Sequence, residues 1–136
     1  MQVKEIEGKG RGVVAARSFY RGEFIVEYAG DLIEILIARE RESKYNLSSA
    51  FGCYMYYFKH NNKNYCIDAT AETGRLGRLV NHSRMKPNCK TKVVMVKNVP
   101  RLILVATKTI KEGDEILYDY GDRSKESILA HPWLAL

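Results

Sequence analysis

Cysteine is scarce in this chain. Cys53, Cys66 and Cys89 stand far apart and form no CxxC pair. An odd, sparse set excludes a disulfide framework and a four-cysteine zinc site, and it points to a reducing compartment. Histidine is equally thin: three residues, all widely separated, so no metal site is expected. Three prolines and no Pro/Gly/Ser-rich stretch, repeat or low-complexity segment leave nothing to mark a domain boundary. Residues 1–136 therefore read as one domain. The longest unbroken aliphatic run, Leu102 to Ala106, is far short of the ~20 residues a membrane span needs. No signal peptide precedes the first charges, so no membrane partner is expected.

What is present is ordinary for a globular chain: 46% apolar and 28% charged residues. The net charge is +6, unevenly spread. Residues 1–60 are close to neutral, residues 61–111 are strongly basic, and residues 112–136 are acidic. A basic middle beside an acidic end implies a dipolar surface, or simply solvated faces without a partner.

Short runs rich in Val, Ile, Tyr and Phe dominate: 13–16, 24–28, 54–59, 65–67, 92–96 and 102–106. Gly and Asn punctuate the gaps at Arg21-Gly22, His60-Asn61-Asn62 and Glu112-Gly113-Asp114. A helix is predicted over about 36–45, with Ile37, Arg41 and Lys44 at helical spacing. A second, short helix is predicted from an N-cap at Ser124, ending before Pro132. The expected class is mostly β with few short helices, in small packed antiparallel sheets.

Five segments can carry chemistry. In Glu7-Gly8-Lys9-Gly10-Arg11-Gly12, alternating glycines let the backbone approach a ligand. A dinucleotide-type glycine turn needs a buried strand before it and a helix after it. Here Met1–Ile6 is polar and 13–16 reads as a strand, so that reading fails and a plain turn remains open. Asn81-His82-Ser83, followed by Pro87-Asn88-Cys89, is a capped turn or a site. In Leu117-Tyr118-Asp119-Tyr120, alternation puts both phenols on one side of an extended segment. They line an aromatic slot or a half-buried strand. Gly52-Cys53-Tyr54-Met55-Tyr56-Tyr57-Phe58 holds more tyrosine than core packing requires. The only tryptophan, Trp133, is a core plug or a lid over a planar ligand.

Taken in order, GKGRG, YRGEFIVEYAGDLI, GCYMYYF, LGRLVNHS, PNC and YDYGDRSKESILAHPWL resemble the SET-domain protein lysine methyltransferases. The resemblance is nearest to the histone H4 lysine-20 monomethyltransferase subfamily and covers nearly the whole chain. It implies a SET-domain fold, with small curved sheets around a C-terminal pseudoknot, and a flanking segment at about 124–136. It implies S-adenosylmethionine as cofactor, held by Lys9, Gly10, Arg11, Tyr54, Asn81 and His82, with Trp133 near the adenine. A target lysine would enter from the opposite face, through a channel lined by Tyr28, Cys53, Tyr118 and Tyr120, with Asp122 at the substrate. Tyr120 would orient the attacking amine, and Tyr118 would limit the product to one methyl group.

The acidic end, with Asp114, Glu115, Asp119 and Asp122, would steer a basic histone H4 tail in nucleosomes. The basic middle, including Arg75, Arg78, Arg84, Lys86, Lys90 and Lys92, would face nucleosomal DNA. A nuclear, chromatin-associated setting follows. The chain lacks the cysteine-rich segments that bind zinc in many SET enzymes, so no metal is expected, and the loop at 83–87 looks one residue longer than usual. No chromatin-docking tail is evident, so the chain reads as a catalytic fragment or a minimal enzyme. Three other readings stand beside this one: a SET methyltransferase for another lysine, an inactive SET-domain reader of histone tails, and a basic nucleic-acid-binding module. The last lacks the aromatic–basic interleaving that single strands favour.

Overall fold

The computed structural model describes residues 1–6, 8, 10–46, 54–71 and 73–119. The described residues form two compact units, one of residues 1–28 and 74–119, the other of residues 29–73.

In the first unit, β1 (Gln2–Ile6) and β2 (Gly10–Val14) make an antiparallel hairpin that pairs Ile6 with Gly10. The polar 1–6 stretch is thus a strand after all, an exposed one, while Val13 and Val14 on its partner are buried. A three-stranded antiparallel sheet runs β3 (Phe24–Glu27), β9 (Val99–Ala106), β8 (Cys89–Val96). Strands β8 and β9 join through Lys97-Asn98, both at positive φ (50° and 65°), the left-handed pair that a tight hairpin needs. The buried face is apolar: Leu102, Leu104 and Ala106 are almost fully enclosed. That burial is the main source of stability, at roughly 25 cal/mol per Å² of apolar surface.

The remaining pair breaks the antiparallel expectation. Strand β7 (Asn81–His82) lies parallel to β10 (Leu117–Tyr118), with His82 opposite Tyr118. Parallel neighbours need a long crossover. Here β8 and β9 supply it, lying between the two in sequence. A short 3₁₀ turn, Gly77–Leu79, leads into β7. Gly77 is obligatory there, because a Cβ would sit 2.2 Å from the carbonyl oxygen of Glu27.

In the second unit, the antiparallel sheet runs β4 (Asp31–Glu34), β6 (Lys63–Asp68), β5 (Met55–His60). Asn61-Asn62, at φ 50° and 62°, turn β5 into β6. The single described helix, α1 (Ile35–Asn46), matches the predicted position to within a residue at each end. Its Ala38 is fully buried against Met55, Tyr57 and Cys66, with Ile33, Ile35 and Tyr45 around them. Lys44 in the last turn suits the helix dipole. No helix among the described residues is long and apolar enough to cross a membrane. The second predicted helix, from Ser124, lies outside the described residues.

The same sheet explains the tyrosine-rich run. Met55, Tyr56, Tyr57 and Phe58 are all buried. The Tyr57 hydroxyl donates to Glu42 at 2.8 Å, and Phe58 stacks on Tyr65 with ring centroids 5.7 Å apart. These aromatics are core, contrary to the expectation that packing could not account for them: a phenol can be buried wherever its hydroxyl finds a partner.

One polar cluster locks α1 to the sheet. Asp68 accepts from Arg41 Nη1 at 3.0 Å, from the Tyr45 hydroxyl at 2.6 Å and from the Thr70 N–H at 3.0 Å. Arg41 also donates to Asp31 at 2.9 Å. Burial of Asp68 pushes its pKa upward, but these hydrogen bonds outweigh it and hold the carboxyl below its ordinary value of 3.8. Stability from Asp68 is therefore complete above the unfolded value of 3.8 and is lost as pH falls through the lower folded value. Asp68→Ala should cost about 3 kcal/mol at pH 7 by urea denaturation. The gap from the parent protein should narrow below pH 4, and a gap that holds constant into acid would refute the assignment.

Candidate functional site

The site is best built outward from Asn81. Its side-chain nitrogen donates twice: to the Arg11 carbonyl at 3.1 Å and to Glu115 Oε2 at 2.9 Å. Both partners are pure acceptors, so the amide orientation is determined: nitrogen toward Arg11 and Glu115, oxygen away from them. One side chain thus ties together three segments, the glycine turn, β7, and the strand that leads into β10. Gly12 lies in the middle of this contact. A Cβ there would stand 2.8 Å from both Asn81 Nδ2 and Glu115 Oε2, and 2.7 Å from Ile6 Cγ1. The alternating glycines are therefore more than a turn. Gly10 takes a positive φ of 79° to close the hairpin, and Gly12 makes room for the amide.

Backbone pairing reinforces this geometry. Ile116 N–H donates to Val13 O at 2.8 Å, and Ala15 N–H to Asp114 O at 2.8 Å. Asn88 then clamps β10 by three bonds. Its N–H donates to Leu117 O, its Nδ2 to Glu115 O, and its Oδ1 accepts from Leu117 N–H, each at 2.9 Å. Buried at 8% exposure, Asn88 acts as a piece of strand edge made from a side chain. Next to it, the Cys89 thiol donates to Leu117 O at 3.3 Å. Burial pushes that thiol up to about 12, so it is a structural group and not a nucleophile.

On β10, Tyr118 is buried at 1% exposure, and its carbonyl accepts from Ser83 N–H at 3.1 Å. Opposite it, His82 is half-exposed, and its Nδ1 lies 3.7 Å from Asp119 Oδ1. Tyr28 belongs to the same unit, is equally buried, and hangs from β9 by its N–H to Leu102 O at 2.9 Å. Among the predicted site residues, the structure thus joins Gly10, Arg11 and Asn81 through the hairpin and the amide, and His82 and Tyr118 through the parallel pair. Tyr54 lies in the second unit, where its carbonyl accepts from Ala69 N–H at 2.9 Å. Lys9, Cys53, Tyr120, Asp122 and Trp133 lie outside the described residues.

Two of the acidic residues expected around the channel also hold the fold. Glu115, placed by sequence around a substrate channel, spends its carboxylate on Asn81. Asp114 caps the Lys111 N–H at 3.1 Å and so holds a turn. The available signal for Glu115 was its place just before the YDYG segment, but nothing in its neighbours showed that its partner lay 34 residues away. Among the described residues, no group of three or more His, Cys, Asp or Glu side chains converges on a metal-sized space.

The donor set fits an amino-acid-bearing ligand. Asn81 presents an amide oxygen, an acceptor for an ammonium group. Arg11, exposed on β2, presents a guanidinium suited to a carboxylate. Glu115→Ala should cost about 1–2 kcal/mol in chemical denaturation, because it strips a partly buried amide of its partner. Glu115→Gln, which keeps an acceptor, should cost less than half as much. Equal losses would mean that the hydrogen bond is not what Glu115 contributes.

Comparison with known proteins fits this arrangement. A family model described as the SET domain matches residues 10–121. The chain is 64% identical over 134 residues to the N-lysine methyltransferase KMT5A-B of Xenopus laevis, covering 98% of this chain and 40% of the relative. It is 62% identical over 135 residues to the histone-lysine N-methyltransferase Set8 of Drosophila melanogaster, covering 99% of this chain and 19% of the relative. The crystal structure of a SET8 protein from Cryptosporidium superposes with a TM-score of 0.82 at 52% identity, over 89% of this chain and 57% of that one. The chain therefore spans about two-fifths of the frog relative's length and about a fifth of the fly relative's. The matched segment includes the Asn81 junction and the β7–β10 pair, and the chain belongs to the SET-domain family.

Proposed function

We propose that this protein is an S-adenosylmethionine-dependent histone-lysine methyltransferase that adds a single methyl group to lysine-20 of histone H4 in nucleosomes. The observation that carries the reading is the Asn81 junction, which ties the glycine turn to β7 while β7 pairs His82 with the buried Tyr118. Relatives named as lysine methyltransferases, alike across nearly the whole chain, support it. Nuclear chromatin is the corresponding setting.

The protein's work is to hold and desolvate. S-adenosylmethionine supplies an activated methyl group on a sulfonium. Gly10, Arg11, Asn81 and His82 would hold its amino-acid and adenine ends, together with Lys9, Tyr54 and Trp133. The lysine nitrogen must react as the free amine. A model lysine has pKa ≈ 10.4, so the neutral form costs about 4.6 kcal/mol at pH 7. An aromatic slot of Tyr28, Tyr118 and Tyr120, with Cys53, lowers that cost by disfavouring the ammonium. Tyr120 would orient the amine and stabilise the developing transition state. A full base role suits it poorly, since a phenol near pKa ~10 is mostly protonated at neutral pH. Tyr118 would place a hydroxyl, or a water held by it, where a second methyl would need space. Asp122 would meet the basic tail.

The fold redistributes the basic middle. Arg78 is buried, which removes it from a DNA-facing surface, while Arg75 is exposed but shares Glu27 at 3.1 Å. Arg84, Lys86, Lys90 and Lys92 remain exposed, and nucleosomal DNA is their proposed partner.

Mass spectrometry of nucleosomes incubated with labelled S-adenosylmethionine should show monomethyl H4 from the parent protein. Tyr120→Phe should slow transfer about 100-fold or more, while Tyr118→Phe should release dimethyl product. Failure to label any histone lysine would sink the proposal, and monomethyl product alone from Tyr118→Phe would remove Tyr118 from product control.

A further inference from the structure

Beside the three-stranded sheet of the first unit lies a cleft of about 420 Å³, lined by Arg21, Gly22, Lys90, Thr91, Lys92, Val105, Ala106 and Thr107. Three of these residues are cationic and none is acidic. Their convergence follows from the strand register. Lys90 and Lys92 are two residues apart on β8, opposite Val105 and Ile103, so both point to the same face. They are spaced by about 7 Å, at roughly 3.4 Å per residue. Arg21 is delivered to the same place because Gly22 N–H donates to Ala106 O at 2.7 Å, which draws the 20–23 turn against the end of β9.

Among the described residues, the cations of the cleft are uncommitted, whereas several others on the surface are paired. Arg17 pairs with Glu23, Arg41 with Asp31 and Asp68, Lys63 with Glu34, and Arg75 and Arg101 with Glu27. Arg21, Lys90 and Lys92 make no ion pair or side-chain hydrogen bond among the described residues. Glu23, the carboxylate nearest Arg21 in the chain, is already held by Arg17 at 3.1 Å and by Tyr20 N–H at 2.8 Å. Three like charges on one concavity, with no acidic residue among those that line it, raise its positive potential and favour an anion there. The side chains are flexible and solvated and the cleft is shallow, which suits a run of phosphates better than one buried carboxylate. Thr107, just beyond β9, adds a hydroxyl of the kind that bonds phosphate oxygens.

We propose that the Arg21–Lys90–Lys92 cleft binds the phosphodiester backbone of duplex DNA, without reading sequence. This deepens the nucleosome reading above by locating the DNA contact, and it rests on that reading only for its biological setting. Lys90 and Lys92 follow one strand of the duplex, and Arg21 closes the cleft from the side.

The test compares two triple variants that each lower the net charge from +6 to +3. One is Arg21→Gln, Lys90→Gln, Lys92→Gln. The control is Lys4→Gln, Lys44→Gln, Lys59→Gln, at exposed positions elsewhere. Circular dichroism checks that both fold, and the three single cleft substitutions stand in if the triple does not. Binding of a labelled short DNA duplex is measured by fluorescence anisotropy from 50 to 300 mM salt. The cleft variant should lose about 2–3 units of the log–log salt slope, at ~0.9 per phosphate contact, and about tenfold or more in affinity at 100 mM. The control should lose less than one unit. Equal loss in both variants, no loss in either, or binding displaced by polyglutamate but not by unlabelled duplex would overturn the proposal. Methylation of a free H4 peptide should be the same for the parent and the cleft variant. Absence of peptide methylation in both would fault the enzyme assignment, leaving the DNA result to stand separately.

Discussion

The arrangement of the first unit depends on a single primary amide. Asn81 has two N–H groups and uses both, one on a backbone carbonyl 70 residues earlier and one on a carboxylate 34 residues later. Neither partner can donate, so the side chain has one orientation. A buried or half-buried amide without such partners would cost about 1–3 kcal/mol. With them, it becomes a joint among three segments that have no local reason to meet. Gly12 and Asn88 serve that joint, the first by leaving space and the second by holding β10 at the right height.

A joint of this kind is what a group-transfer site requires. Methyl transfer needs two reactants aligned to a fraction of an ångström, and alignment is only as good as the stiffness of the groups behind it. The parallel β7–β10 pair sets His82 against Tyr118, while the amide sets the glycine turn against β7. The backbone carries this geometry and leaves the side chains of Arg11 and His82 exposed beside it.

Charge follows a similar division of labour. In the second unit, Arg41, Asp31, Asp68 and Tyr45 satisfy one another and lock a helix to a sheet. In the first, Glu27 is shared between Arg75 and Arg101. Once such pairs and the buried Arg78 are discounted, the eleven cations of residues 61–111 reduce to seven exposed side chains. Net charge is thus a poor guide to a partner surface until pairing and burial have been taken into account.

The sequence alone determined the local elements and the family: β-rich runs between Asn and Gly turns, a charged helix near 36–45, and motifs whose order resembles the SET domains. These depend on neighbours in the chain, where period and turn chemistry are legible. It did not show that Gln2–Ile6 would be a strand, because this exposed strand carries no apolar period. Nor could it tell that Tyr56 and Tyr57 are core, that Arg78 is buried, or that Glu115 serves Asn81. Tyrosine, arginine and glutamate are the same letters in either role. What separates the roles is which side chains meet across 34 or 70 residues of chain, and only the folded backbone path decides that.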